Sequence, residues 1–208
     1  MSYTGPSNTT SNHNAPADFA AIEHRLTSTY AYPFTLPPKQ SPHDRSLSNA
    51  IASLHVHPTL EAILHMLNND LTSAHFLCRH MQSPPAFESM LIHGVLHRIE
   101  GDYDNASAWY GNVEDSDVFR SVWPDGLASA RGFIEKLKER RKQNKGTGDT
   151  ASLQVESERE MKALIEFCKK EFGTEILQDG TTAWVEPSEK IREIASKQLV
   201  GGEGWRKF

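Results

Sequence analysis

Cysteine is nearly absent: the 208 residues contain two, Cys78 and Cys168. Both sit far apart in stretches with helical patterning, which excludes a disulfide framework and points to buried, reduced thiols. The sequence also lacks any apolar run of about 18 residues, the length a membrane-spanning helix requires. Positive charge is in short supply, with 22 Lys and Arg against 27 Asp and Glu and a formal net charge of -5. No nucleic-acid partner is expected from such a balance, because phosphate binding needs a concentrated positive surface. No membrane association is expected either. A phosphate-cradling loop is missing as well, since Gly201-Gly202-Glu203-Gly204 has neither a strand before it nor a helix after it. The first ten residues carry neither the apolar core of a secretion signal nor the arginines of a transit peptide. The compartment these absences suggest is the cytosol, with the nucleus accessible by size.

What remains is 38% apolar, enough for one domain with a real core or a domain plus appendages. Residues 1–17 are Ser, Thr, Asn, Gly and Pro with little to bury and read as a disordered tail. Residues 18–143 read as a helical-hairpin domain. Within it a proline-rich arm at 31–43 is kept extended by Pro33, Pro37, Pro38 and Pro42, with Tyr32, Phe34 and Leu36 as anchors. Residues 144–152, with Gly146 and Gly148, read as a linker. Residues 153–208 read as a C-terminal helical extension packing on the main domain, with Val155, Met161, Leu164, Ile165 and Cys168 as its apolar stripe. The stretch 174–185 is too short to build a sheet and reads as a loop. The tail ends in Trp205 and Phe208, a composition suited to docking.

The best-punctuated stretch is 88–113. Met90, Leu91, Val95, Leu96 and Ile99 recur at helical spacing. Gly101 can end that helix in the left-handed conformation, and Asp102 can cap the next. Tyr103, Ala106, Trp109, Tyr110 and Val113 then form a second stripe. An antiparallel helix pair follows. Pro58 suits the first turn of an earlier helix, Asn68-Asn69-Asp70 a turn, and Ser83 a cap.

Gly94, Gly101-Asp102-Tyr103, Ala106 and Tyr110 resemble, in order and spacing, the glycine, turn, alanine and aromatic of a tetratricopeptide (TPR) repeat. His93, His97 and Val113 depart from that pattern. A shift of 32 residues gives a fainter copy in which Ala62, His65, Leu71, Ala74 and Cys78 take the corresponding places. The string from His97 to Tyr110 also looks like a motif of a family of small uncharacterised fungal proteins, which implies no activity. The resemblance implies an all-α fold of antiparallel helical hairpins with TPR-like right-handed stacking, and a groove between hairpins for a protein or peptide partner.

Ten histidines supply the chemistry. His93 and His97, one turn apart, share a helix face with the spacing of helical zinc sites, and Glu100 lies three residues on. His93 and His97 are candidate metal ligands, for zinc, iron or manganese. His97 and Glu100 are candidate catalytic groups. The zinc-protease form is disfavoured because Gly94, not Glu, follows His93. His65, Arg98, Asn105 and Trp109 are candidate ligand-binding residues. Each has a bland counterpart: packed or solvated histidines, an Arg98 ion pair with Glu88 or Glu100, local turn chemistry at Asn105. His75 and Arg79 form a second polar group, with His75 one turn before Cys78. The basic run Lys136–Lys145 reads as a solvated helix end. Three functions stay open: a binding or adaptor protein, a ligand-binding protein or metal-dependent enzyme, and a structural subunit of a complex.

Overall fold

The computed structural model describes residues 18–34, 41–142, 150–189 and 191–193, and these are all-α, with no strand among them. In chain order the helices are α1 (Phe19–Thr29), α2 (Arg45–Ala52), α3 (Pro58–Leu67), α4 (Leu71–Arg79), α5 (Phe87–Glu100), α6 (Tyr103–Asn112), α7 (Asp117–Val122), α8 (Gly126–Lys142) and α9 (Thr150–Phe172), followed by a 3-10 turn at Gly180–Ala183. None of them is long and apolar enough to cross a membrane. The expected tail at 1–17, Leu36, most of the expected linker and the aromatic C-terminus lie outside the described residues.

Local signals account for most helix ends. Asp18 and Asp44 cap α1 and α2 through their carboxylates. Pro58 occupies the first turn of α3, and the ring of His57 accepts from the Thr59 amide at 3.3 Å. Asn69 takes a left-handed conformation at φ 56°. The buried Asn68 amide bonds the Asp44 carbonyl at 2.9 Å and Ser48 Oγ at 3.1 Å, while Asn69 donates to the Ser41 carbonyl at 2.8 Å. That turn thus fastens the segment before α2. Gly101 ends α5 at φ 82°. Two expected caps are corrected. Asp102 precedes α6 without a side-chain cap bond. Ser83 does not cap α5; its Oγ accepts from the Ser188 amide at 2.8 Å.

Packing joins α3 with α4 and α5 with α6, and α4 and α3 both touch α5. Helix α9 runs against α3, α7 and α8, and Met161, Leu164, Ile165 and Cys168 join the same buried cluster as Leu60, Ile63, Leu91 and Val95. The core is therefore continuous across the expected linker, and Thr150–Ser152 is already helix. Val155 is 65% exposed and leaves the expected stripe, because Ser157 and Glu160 occupy the inward positions instead. The arm lies on the core through Tyr32 and Phe34, with the Tyr32 carbonyl accepting from Gln154 at 2.8 Å and the Pro33 carbonyl from Ser157 at 2.8 Å. The basic end of α8 folds back on the α5–α6 hairpin. Lys138 meets Asp104 at 2.6 Å, and Arg141 donates to the Glu100 carbonyl at 2.9 Å.

Close approach of α5 and α6 depends on Gly94. A Cβ there would lie 2.8 Å from Tyr110 Cδ1 and 3.0 Å from Trp109 Cβ, both on buried side chains. Gly94→Ala gains about 1 kcal/mol of helix propensity but over-packs a filled contact, and the net result is a loss of roughly 1–2 kcal/mol. Urea unfolding monitored by circular dichroism checks this; a variant as stable as the parent removes the tight contact from the account.

The His57 ring stacks on Phe172, centroids 3.8 Å apart and 2° from parallel, which joins the start of α3 to the end of α9. Burial lowers its pKa from 6.5 to about 4. Between those values the unfolded chain binds a proton that the folded one does not, so stability is full above pH 6.5 and falls as pH drops toward 4. His57→Asn retains a capping side chain without the titration. Its stability should change less than the parent's between pH 7 and 5 in urea unfolding; equal slopes would dismiss the effect.

Candidate functional site

Two polar centres flank α5. The first gathers imidazoles from α4 and α5. His93 and His97 stack with centroids 4.8 Å apart, and the His75 ring stands edge-on to them at 5.2 and 5.3 Å. His75 Nε2 lies 3.0 Å from Glu100 Oε2, and His97 Nδ1 lies 3.7 Å from the same oxygen and 3.6 Å from Asp102 Oδ2. The Asn105 amide nitrogen reaches His97 Nε2 at 3.2 Å, and the Trp109 ring packs on His93 at 4.7 Å. Helical spacing explains the pair on α5, and the α4–α5 packing adds His75 across from it. Burial first, then neighbouring His97, His75 and Arg79, pushes the His93 pKa well below its ordinary value and keeps that ring neutral. Nδ1 of His93 and Nδ1 of His75 are enclosed without a hydrogen-bond partner. Ligand atoms of His75, His97 and Glu100 lie within 4.8 Å of one another, the arrangement in which two imidazoles and a carboxylate can hold a cation.

The second centre is wholly enclosed. Arg98 Nη2 bonds Glu160 Oε2 at 2.6 Å, with both side chains at 0% exposure. The other Glu160 oxygen accepts from the Tyr110 hydroxyl at 2.5 Å and from Trp123 Nε1 at 3.1 Å. Ser157 accepts from Arg98 at 3.1 Å, and Arg98 Nη1 reaches the Phe34 carbonyl at 3.4 Å. Burial, reinforced by Glu160, pushes the Tyr110 hydroxyl pKa well up, so it stays a donor.

Of the sequence-derived residues, His93, His97, Glu100, Asn105 and Trp109 come together. His65, on α3, lies instead between Asp70, at 3.2 Å from Nδ1, and Glu61, at 3.6 Å from Nε2. Arg98 is closed off from solvent, and its carboxylate is Glu160 rather than Glu88 or Glu100. Cys78 is fully buried and its thiol pKa is pushed up to about 12 by burial, which makes it unreactive despite His75 one turn away. Burial raises the Cys168 thiol likewise. Glu160, Ser157 and Trp123 were not singled out from the sequence. A signal existed: Ser157, Glu160, Met161, Leu164, Ile165 and Cys168 share one helical stripe, so a carboxylate stood in a buried register.

The chain matches no family model, no curated protein and no solved structure.

Leaving either member of the Arg98–Glu160 pair without its partner should cost about 3–5 kcal/mol, whereas replacing both by apolar residues costs much less than the sum. Arg98→Met, Glu160→Leu and the double variant form the test cycle, read by urea unfolding. Additive losses would mean that the two charges do not interact.

Proposed function

We propose that the chain is a non-catalytic binding protein built from helical hairpins, and that it docks a protein partner through an aromatic strip formed by Phe76, His80 and Trp184. The observation carrying this reading is the exposure of two large rings that both pack on His80. Phe76 is 58% exposed and Trp184 42%, the His80 ring meets Phe76 edge-on at 5.0 Å, and it stacks on Trp184 at 4.1 Å. The strip is held in place by its backbone, with the Val185 amide donating to the His80 carbonyl at 2.9 Å. Exposed apolar side chains scattered singly need no explanation, but adjoining aromatics are the composition of protein interfaces. The complementary partner is an apolar segment, such as the nonpolar face of an amphipathic helix.

The packing of α3 with α4, of α5 with α6 and of α4 with α5 supports the same class of function, with one change of location from the groove that the TPR resemblance implies. The side of α5 that carries Arg98 faces Ser157 and Glu160 of α9, so a peptide groove on that side is filled by the chain itself. The chain's reactive side chains also favour binding over catalysis, since both thiols and the Arg98–Glu160 pair are enclosed. The half-open imidazole cluster supports a second activity, ion binding, taken up below.

Phe76→Ser with Trp184→Ser tests the docking reading. Quantitative affinity purification with the parent and the double variant, both showing native far-UV circular dichroism, should identify a partner lost by at least about tenfold in the variant, as expected when interface anchors are removed. The interaction is then confirmed with purified components. Partners retained equally by both chains, or none at all, overturn the proposal.

A further inference from the structure

We infer that His75, His97 and Glu100 form a binding site for a divalent transition-metal ion, with Asp102 at its edge and Asn105 behind His97. Three observations converge. One ring nitrogen of His75, one of His97 and a Glu100 carboxylate oxygen lie within 4.8 Å of one another, and Oε2 of Glu100 is 3.0 Å from His75 Nε2 and 3.7 Å from His97 Nδ1. Ligands at about 2.1 Å from a tetrahedral ion stand roughly 3.4 Å apart, so closure requires side-chain rotation of the order of an ångström and no backbone movement. The side chains are 13%, 14% and 30% exposed, which leaves an entry path from solvent while excluding most competing water.

The second observation is convergence: the rings of His75, His93 and His97 pack with centroids 4.8–5.3 Å apart, and the carboxylates of Glu100 and Asp102 stand 3.0–3.7 Å from the nitrogens of His75 and His97. The third is the support behind the ligands. With Nδ1 of His97 on the ion, its proton leaves and Nε2 carries the N–H, for which the Asn105 amide, 3.2 Å away, offers its oxygen on turning over. His93 and Trp109 pack beneath and hold the His97 ring in plane. Two imidazoles and one carboxylate suit zinc, cobalt or iron(II), and exclude the all-oxygen preference of calcium and magnesium. The ion would leave one or more positions open, filled by water or by Asp102.

Titration of the full 208-residue chain with Co2+, followed by Zn2+ competition, reads the site through cobalt's visible absorption and by calorimetry. One equivalent of Co2+ should bind and be displaced by Zn2+. His75→Asn and His97→Asn should each weaken binding by more than tenfold, and Asn105→Ala by about tenfold, the usual effect of removing a supporting partner. His24→Asn, on the exposed face of α1 and outside the cluster, should leave affinity unchanged. Glu100→Gln keeps the size of a side chain at the open edge and remains readable if a histidine variant unfolds; it too should weaken binding. The inference is overturned if no saturable equivalent binds, if His24→Asn weakens binding as much as His75→Asn, or if natively folded Glu100→Gln binds Co2+ as the parent does. Loss of the aromatic strip's partner leaves all these readings unaffected, so the two proposals fail separately.

Discussion

The enclosed pair of Arg98 and Glu160 is the constraint to which the rest of the molecule is fitted. Two full charges at 0% exposure are tolerable only if most of their remaining hydrogen-bonding capacity is met, and the chain supplies partners from four directions, leaving Arg98 Nε alone without one. Tyr110 comes from α6, Trp123 from the end of α7, Ser157 from α9 and the Phe34 carbonyl from the arm. Each of these elements must stand in one register for the network to close. Apolar burial alone would let α9 slide or rotate with little loss, since one methylene surface packs much like another. The charge pair makes a misplaced α9 expensive, and in that sense it specifies the arrangement more than it strengthens it.

That network also explains how a segment rich in proline becomes part of the core. The extended arm has carbonyls that no helix satisfies, and prolines that cannot donate. Gln154, Ser157 and Arg98 bond the carbonyls of Tyr32, Pro33 and Phe34 in turn, so the arm is ordered by donors from α9 and α5 and not by its own backbone pairing. The rings of Tyr32 and Phe34 then cover apolar surface that two hairpins alone would leave open.

The helices themselves were largely legible, because apolar spacing, Pro58, Gly101 and the Asn-Asn-Asp turn are local signals that tertiary packing did not override. The pairing of His93 with His97 and Glu100 was legible for the same reason, being fixed by one helix. What was hidden required knowing which helices touch. His75 enters the cluster only because α4 lies along α5, and Glu160 meets Arg98 across 62 residues of sequence. Val155 breaks the apolar stripe because the inward face of α9 carries Ser157 and Glu160, whose partner Arg98 lies on another helix, far off in the sequence. His65 was joined to the cluster by a 32-residue shift, yet its nearest charged neighbours are the local Asp70 and Glu61.

Helix α5 thus serves two polar centres at once, and the difference between them separates scaffold from function. Arg98 points where water is excluded and both of its Nη groups are committed, so its chemistry serves the fold. His93 and His97 point toward α4 and α6, where Glu100 retains 30% exposure and the imidazole nitrogens converge. The tight α5–α6 contact at Gly94 fixes the angle between the two sides, since Tyr110 and Trp109 both press on it. Tyr110 then carries on to Glu160 and Trp109 to His93. A single glycine therefore sets the position of the buried pair and of the imidazole cluster together, which couples the stability of the core to the geometry of the only grouping of metal-ligating side chains found among the described residues.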